Sequence, residues 1–200
     1  MNPAIALLEL DSVAVGIRVG DAMAKRAPLA TLYAGSVQPG KYLVLAGGEV
    51  AAVQEAAMAG RAAAEGHLLD VIFLPDVHEA VVSALMGATG EGTPEALGIV
   101  ETRTVAATIG AADVGVKGAD VGILRLSMAD GLGGRGYVLF AGTVSEVQAA
   151  VGQATESLGD PGLLIADVVI PQLDSEMLTN LLADAEFALR VSSYRGIKGS

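Results

Sequence analysis

The chain has 200 residues, a formal charge of −11 and no cysteine; 52% of it is hydrophobic, 18% charged and only 4% aromatic. That length suits one medium domain or two small ones. An acidic chain with no Lys/Arg cluster offers no face to nucleic acid, and without cysteine there are no disulfides, thiolate zinc sites, cysteine-held iron–sulfur clusters or cysteine nucleophiles. Mean hydropathy is high at +0.54, yet no apolar run reaches the roughly 20 residues of a membrane span. The surplus apolar surface therefore points to subunit interfaces. The opening residues carry neither a basic leader nor a cleavage pattern, so a cytoplasmic location is expected.

In chain order, residues 4–10 form a short apolar run ending in an acid and a leucine, which predicts a first strand. Residues 13–27 place Val13, Ile17, Gly20, Ala24 and Ala27 along one apolar stripe at helical spacing, with Asp11 or Ser12 as cap. Two strands at 31–36 and 42–46 flank the turn Val37-Gln38-Pro39-Gly40, and the pair Gly47-Gly48 is expected to end the second. The Ala/Glu/Gln-rich stretch 50–64 predicts a helix. A last strand at 68–74 stops at Pro75, and a short helix at 78–86 follows, with His78 as a cap or interface residue.

The same order then recurs. At an offset of 92, Glu9, Val13, Ile17, Asp21, Lys25 and Leu32 fall on Glu101, Val105, Ile109, Asp113, Lys117 and Leu124. After two inserted residues, Gly40, Val44, Gly48, Val53 and Gln54 fall on Gly134, Val138, Gly142, Val147 and Gln148, and further on Pro75 meets Pro171. The division this predicts is a first domain at 1–88, a Gly/Pro-rich linker at 89–95, a second domain at 96–185 and an unrepeated extension at 186–200. Each copy reads β-α-β-β-α-β with a terminal helix. The expected fold class is α/β (α+β), a tandem repeat of two ferredoxin-like units.

Motifs for chemistry are sparse. Residues 131–136 satisfy G-x-G-x-x-G, but a dinucleotide fingerprint needs that loop between a strand and a helix. Here it runs into the strand-like Tyr137-Val138-Leu139-Phe140 and reads as a hairpin turn. His67 and His78 share no helical face with further metal donors, and no Ser/His/Asp grouping stands at strand ends. No catalytic residue, metal or cofactor is expected. What stands out is a small-residue hairpin tip in each copy, Gln38-Pro39-Gly40 and Leu132-Gly133-Gly134, together with the mid-helix lysines Lys25 and Lys117. A lysine there is either solvated or lays its stem on a neighbour's apolar surface.

In the order of these features, Ala4 to Leu10, Asp21 to Lys25 and Gly48-Glu49-Val50 in the first copy, and Leu97 to Thr102, Asp113 to Lys117 and Gly142-Thr143-Val144 in the second, the chain resembles the tandem-domain, trimer-forming shell proteins of bacterial microcompartments. The resemblance implies a homotrimer that mimics a hexamer and tiles the compartment shell beside other shell proteins. Lys25 and Lys117 would lie at tile edges, both hairpin tips would surround a central pore for small metabolites, and encapsulated enzymes would be possible partners. Nucleic acid and membrane are not expected partners. The propanediol-utilisation members of this class carry a pore cysteine where this chain has Gln38, and three copies hold an iron–sulfur cluster. With Gln38 the resemblance implies a neutral, hydrogen-bonding constriction instead, with Asp130 adding negative charge beside the second tip. A trimeric ferredoxin-like regulator that binds small molecules between subunits is the competing reading.

Overall fold

The computed structural model describes residues 3–90, 94–129 and 131–183. The chain runs β1 (Ala4–Leu10), α1 (Val13–Arg26), β2 (Thr31–Val37), β3 (Lys41–Gly48), α2 (Val50–Ala63), β4 (Leu68–Leu74) and α3 (Glu79–Leu85). It then repeats as β5 (Ala96–Thr102), α4 (Val105–Gly118), β6 (Gly122–Met128), β7 (Gly136–Gly142), α5 (Val144–Glu156), β8 (Leu164–Pro171) and α6 (Ser175–Leu182), with a single 3-10 turn before β8. The strands form two antiparallel four-stranded sheets, ordered β2-β3-β1-β4 and β6-β7-β5-β8. This is the ferredoxin-like arrangement, built twice. The register break at Glu9/Leu10 between β1 and β4 recurs at Glu101/Thr102 between β5 and β8.

Local chemistry accounts for the helix ends. The Ser12 hydroxyl accepts from the Val15 amide at 3.3 Å and the Thr104 hydroxyl from Ala107 at 3.2 Å, so both copies start this helix with a hydroxyl cap. The last short helices are capped alike, His78 accepting from the Ala80 amide and Asp174 from Glu176. β3 ends at Gly48, as the glycine pair predicts, but two residues later than the run 42–46. Gly47 stays on the ladder opposite Ile5 and Thr31. A Cβ on it would lie 2.7 Å from the Thr31 hydroxyl, so glycine is there to let two strands close up. One aligned pair also shifts. Because β6 bulges between Ile123 and Arg125, the ladder equivalent of Leu32 is Ile123, not Leu124.

Among the described residues, three apolar clusters hold the structure. One face of the first sheet packs on α1 and α2 through Leu8, Leu10, Val19, Met23, Val44 and Val53. The opposite face does not belong to the first half alone. Ile5, Leu7, Val77 and Val81 join Val105, Ile109, Phe140 and Val147 of the second half in one continuous core. The outer face of the second sheet is covered by α6, where Leu178 meets Leu97, Leu124 and Leu139.

The helix α1 departs from its sequence stripe. Its buried side is Gly16, Val19, Gly20 and Met23, whereas Val13 and Ile17 are 41% and 57% exposed. The two halves also exchange bulk at one helix–sheet contact. In the first, Gly16 lies against the Tyr42 ring; in the second, the matching positions are Thr108 and Gly136, again in contact. A large strand residue over a helix glycine has become a strand glycine under a larger helix residue.

Candidate functional site

The two hairpin tips that the sequence singled out lie side by side. The first runs from Val37 to Lys41 with a cis Gln38–Pro39 bond and Gly40 at φ +99°. The second spans residues 129–135 between β6 and β7. Lys41, at the foot of the first, reaches over to the second. Its Nζ donates to Gly134 O at 2.8 Å and to Arg103 O at 3.4 Å. A Cβ on Gly134 would lie 2.9 Å from the Lys41 stem, and its φ of +74° is one that only glycine adopts freely.

Behind the tips sits a buried ion pair that sequence reading did not single out. Glu9 is fully buried, and its Oε1 accepts from Lys41 Nζ at 2.5 Å. Its Oε2 accepts from the Val105 amide at 2.9 Å, an orphan donor of the first turn of α4. Burial pushes the Glu9 carboxyl above its ordinary pKa, outweighing the hydrogen bond and attraction of Lys41 and the amide donation that hold it down. A little further out, Thr104 donates its hydroxyl to Asp70 Oδ2 at 2.5 Å. Together these groups fasten β1, β3 and β4 of the first half to the N-terminus of α4. A sequence signal did exist: each copy has an acid near the end of its first strand, Glu9 and Glu101, and a base just after its tip, Lys41 and Arg135. Nothing local shows that the first pair becomes a seam.

The mid-helix lysines are not equivalent. Lys117 donates to Asp113 Oδ2 at 2.7 Å and also to the Asp76 carbonyl, which belongs to the first half. Asp113, nearly buried, accepts as well from the His78 amide at 2.8 Å. His78 is therefore both a cap and part of the contact between halves. Among the described residues Lys25 makes the matching helical pair with Asp21, at 2.6 Å, and both side chains are more than half exposed. His67 stands apart, 2.7 Å from Asp11 at the exposed end of β1.

The described residues contain no group of three or more His, Cys, Asp or Glu suited to a metal ion. The donor set at the first tip, an amide on Gln38 in a chain without cysteine, does not fit a thiolate-held cluster. Residues 131–136 connect two strands, so the glycine motif has no helix N-terminus for a pyrophosphate. Among the described residues no helix is long and apolar enough to cross a membrane. Asp130 and the extension at 186–200 lie outside the described residues.

The BMC domain model matches residues 4–77 and again 96–173. The chain belongs to the family of bacterial microcompartment shell proteins. It is 44% identical over 177 residues to the shell protein PduT of Citrobacter freundii, covering 88% of this chain and 96% of that one. A microcompartment protein of Desulfitobacterium hafniense superposes with a TM-score of 0.79 at 37% identity, covering 90% of this chain and 99% of the other. A fused permuted hexameric shell protein from the RMM microcompartment shares the fold, with a TM-score of 0.56 at 21% identity over 77% of this chain and 82% of its own. Within the family this chain is a tandem member, each of its halves matching the BMC domain model.

Proposed function

We propose that three copies of this chain close into a ring of six BMC domains that tiles a microcompartment shell and carries a pore at its centre. The observation that supports this best is the Lys41–Gly134 hydrogen bond, which sets the two tips side by side at one end of the molecule. Six such tips, alternating around a threefold axis, would surround an opening lined by Gln38, Pro39 and Gly40 and by Leu132, Gly133 and Gly134. These are small or neutral residues, so the constriction would sort solutes by size and hydrogen bonding, with Asp130, close to the second tip in sequence, adding a bias toward neutral or cationic solutes. The protein would act by geometry, with no catalytic step.

Lys25 and Lys117 would stand toward the rim of the tile, where neighbouring shell proteins meet. Lys117 is already partly engaged within its own chain. Encapsulated enzymes and other shell proteins are the partners this role implies.

Negative-stain electron microscopy of the purified protein tests the reading. Six-lobed discs with a central hole, packing into hexagonal layers, are expected. Compact particles with no hole and no layers would overturn it and favour a small-molecule regulator.

A further inference from the structure

The connection between the two halves does more than join them. After α3 it crosses to β6, the outermost strand of the second sheet, where the Gly90 amide donates to Leu124 O at 3.0 Å. A Cβ on Gly90 would lie 2.9 Å from Ile123 O, so the connection is pressed against that strand. On the outer face of this sheet Leu97, Leu124 and Leu139 are all but fully buried. The corresponding ground on the first half is open. Among the described residues β2 pairs with β3 alone. Beside it lies an apolar hollow of about 240 Å³, whose lining includes Pro3, Ile5, Tyr33, Leu45 and Met86. Tyr33 is 55% exposed and Met86 72%. In the second half the counterparts of Pro3, Ile5, Leu45 and Met86 are Glu95, Leu97, Leu139 and Leu182, so the hollow stands where the connection and α6 close over the second sheet.

The chain also continues beyond α6. Counted from the helix caps, His78 and Asp174, the counterpart of Gly90 is Glu186. From there Phe187, Leu189 and Val191 alternate with Ala188, Arg190 and Ser192, the pattern of a strand with one apolar face. Such a segment suits an edge strand next to an apolar hollow, because its backbone pairs with the edge while its alternate side chains fill the hollow. The chain leaves the second half beside β6, where Leu182 O accepts from Arg125 at 3.2 Å. Inside the chain α3 packs on β6 of the other half, so the connection has only to cross from one half to the next. In a ring, the half that stands next after α6 belongs to a second copy.

We infer that the C-terminal extension is a clasp: residues 184–186 of one copy take, on the next copy, the path that residues 88–90 take inside the chain, and residues 187–191 run on along the edge of β2. Phe187, Leu189 and Val191 then lie over the hollow beside Tyr33. The clasp rests on the homotrimer reading above. It closes an edge strand against stray pairing and ties neighbouring copies through a segment that the two-domain core does not need. The fit is looser than the internal one. Glu186 stands where Gly90 touches Ile123, and the ladder of β2 runs without the break that β6 has at Leu124, so the added segment keeps further from its strand.

Because the chain has no cysteine, Tyr33→Cys combined with Phe187→Cys tests the clasp by cross-linking. Phe187 follows the counterpart of Gly90, and Tyr33 follows Leu32, the ladder counterpart of Ile123. Mild oxidation of the double variant is expected to give covalent trimers on a non-reducing denaturing gel. Neither single variant should, nor Phe187→Cys combined with Gly152→Cys, placed on α5 where a Cβ meets nothing. A chain ending at Ala183 retains all three apolar clusters, so circular dichroism should show it folded. In hydrogen exchange, its β2 amides that face away from β3 should exchange about tenfold faster than in the full chain. A wild type that is monomeric by light scattering overturns the homotrimer reading and the clasp with it. A trimeric wild type whose cysteine pair stays reduced or closes within one chain overturns the clasp alone, as does unchanged exchange in the shortened chain.

Discussion

Helices α1 and α4 hold the same place in the two halves, begin with the same kind of hydroxyl cap and run for fourteen residues each, yet α1 buries four residues and α4 ten. The side that packs on the parent sheet is similar in both. The difference lies on the far side, where Val105, Ile109 and Asp113 meet the first half and Val13, Ile17 and Asp21 are exposed. An apolar stripe on a helix therefore reports that a face is to be covered, not which molecule covers it. Among the described residues, the second half is covered by the first at this face, and the equivalent face of α1 is exposed.

The strongest way to break this contrast is Lys41→Ala. It strands a buried carboxylate in the internal seam, at a cost of about 3–5 kcal/mol, whereas the equivalent Arg135→Ala should scarcely alter the single chain. The sign with pH follows from Glu9. Its pKa is raised in the fold, so its favourable contribution is complete at acidic pH and is lost as pH rises through that raised value. Removing the lysine makes the charged form still costlier, so urea melts should show a larger deficit near pH 8 than near pH 5. A deficit equal at both would mean that Glu9 does not govern the seam.

The apolar pair gives a smaller effect. Ile109→Ala should lose about 2–5 kcal/mol at any protein concentration. Ile17→Ala should lose less than about 0.5 kcal/mol in dilute solution and, if the proposed ring buries this face, progressively more as concentration rises. Equal losses at high dilution would show that α1 is already covered within one chain. Smallest is the cap. Thr104→Ala should cost about 1–2 kcal/mol and Ser12→Ala somewhat less, the surplus coming from the bond that only Thr104 makes to Asp70.

Most of the architecture could be read from the sequence because it is written twice. A strand or helix supported by one weak pattern at residues 4–10 or 13–27 gains force when the same letters return 92 positions later. The glycines at 47–48 mark the end of β3 as their usual meaning predicts, but Gly47 has a further reason, a cross-strand approach to Thr31 that no local pattern encodes. The hairpin tips and helix lysines stood out in sequence. The Glu9–Lys41 pair did not, because its partners are 32 residues apart and its third member, the Val105 amide, carries no side-chain signature. Likewise the stripe of α1 was visible, but its outward direction was not.

The exchange of bulk between Gly16/Tyr42 and Thr108/Gly136 also bears on how the two halves have come to differ. If α1 were grafted onto the second sheet, Gly16 would face Gly136 and leave a void. With α4 on the first sheet, Thr108 would collide with Tyr42. Each helix now fits only its own sheet, so the halves have become mutually exclusive versions of one fold. For a newly made chain that has both helices and both sheets to choose from, this contact favours the native pairing over the exchanged one.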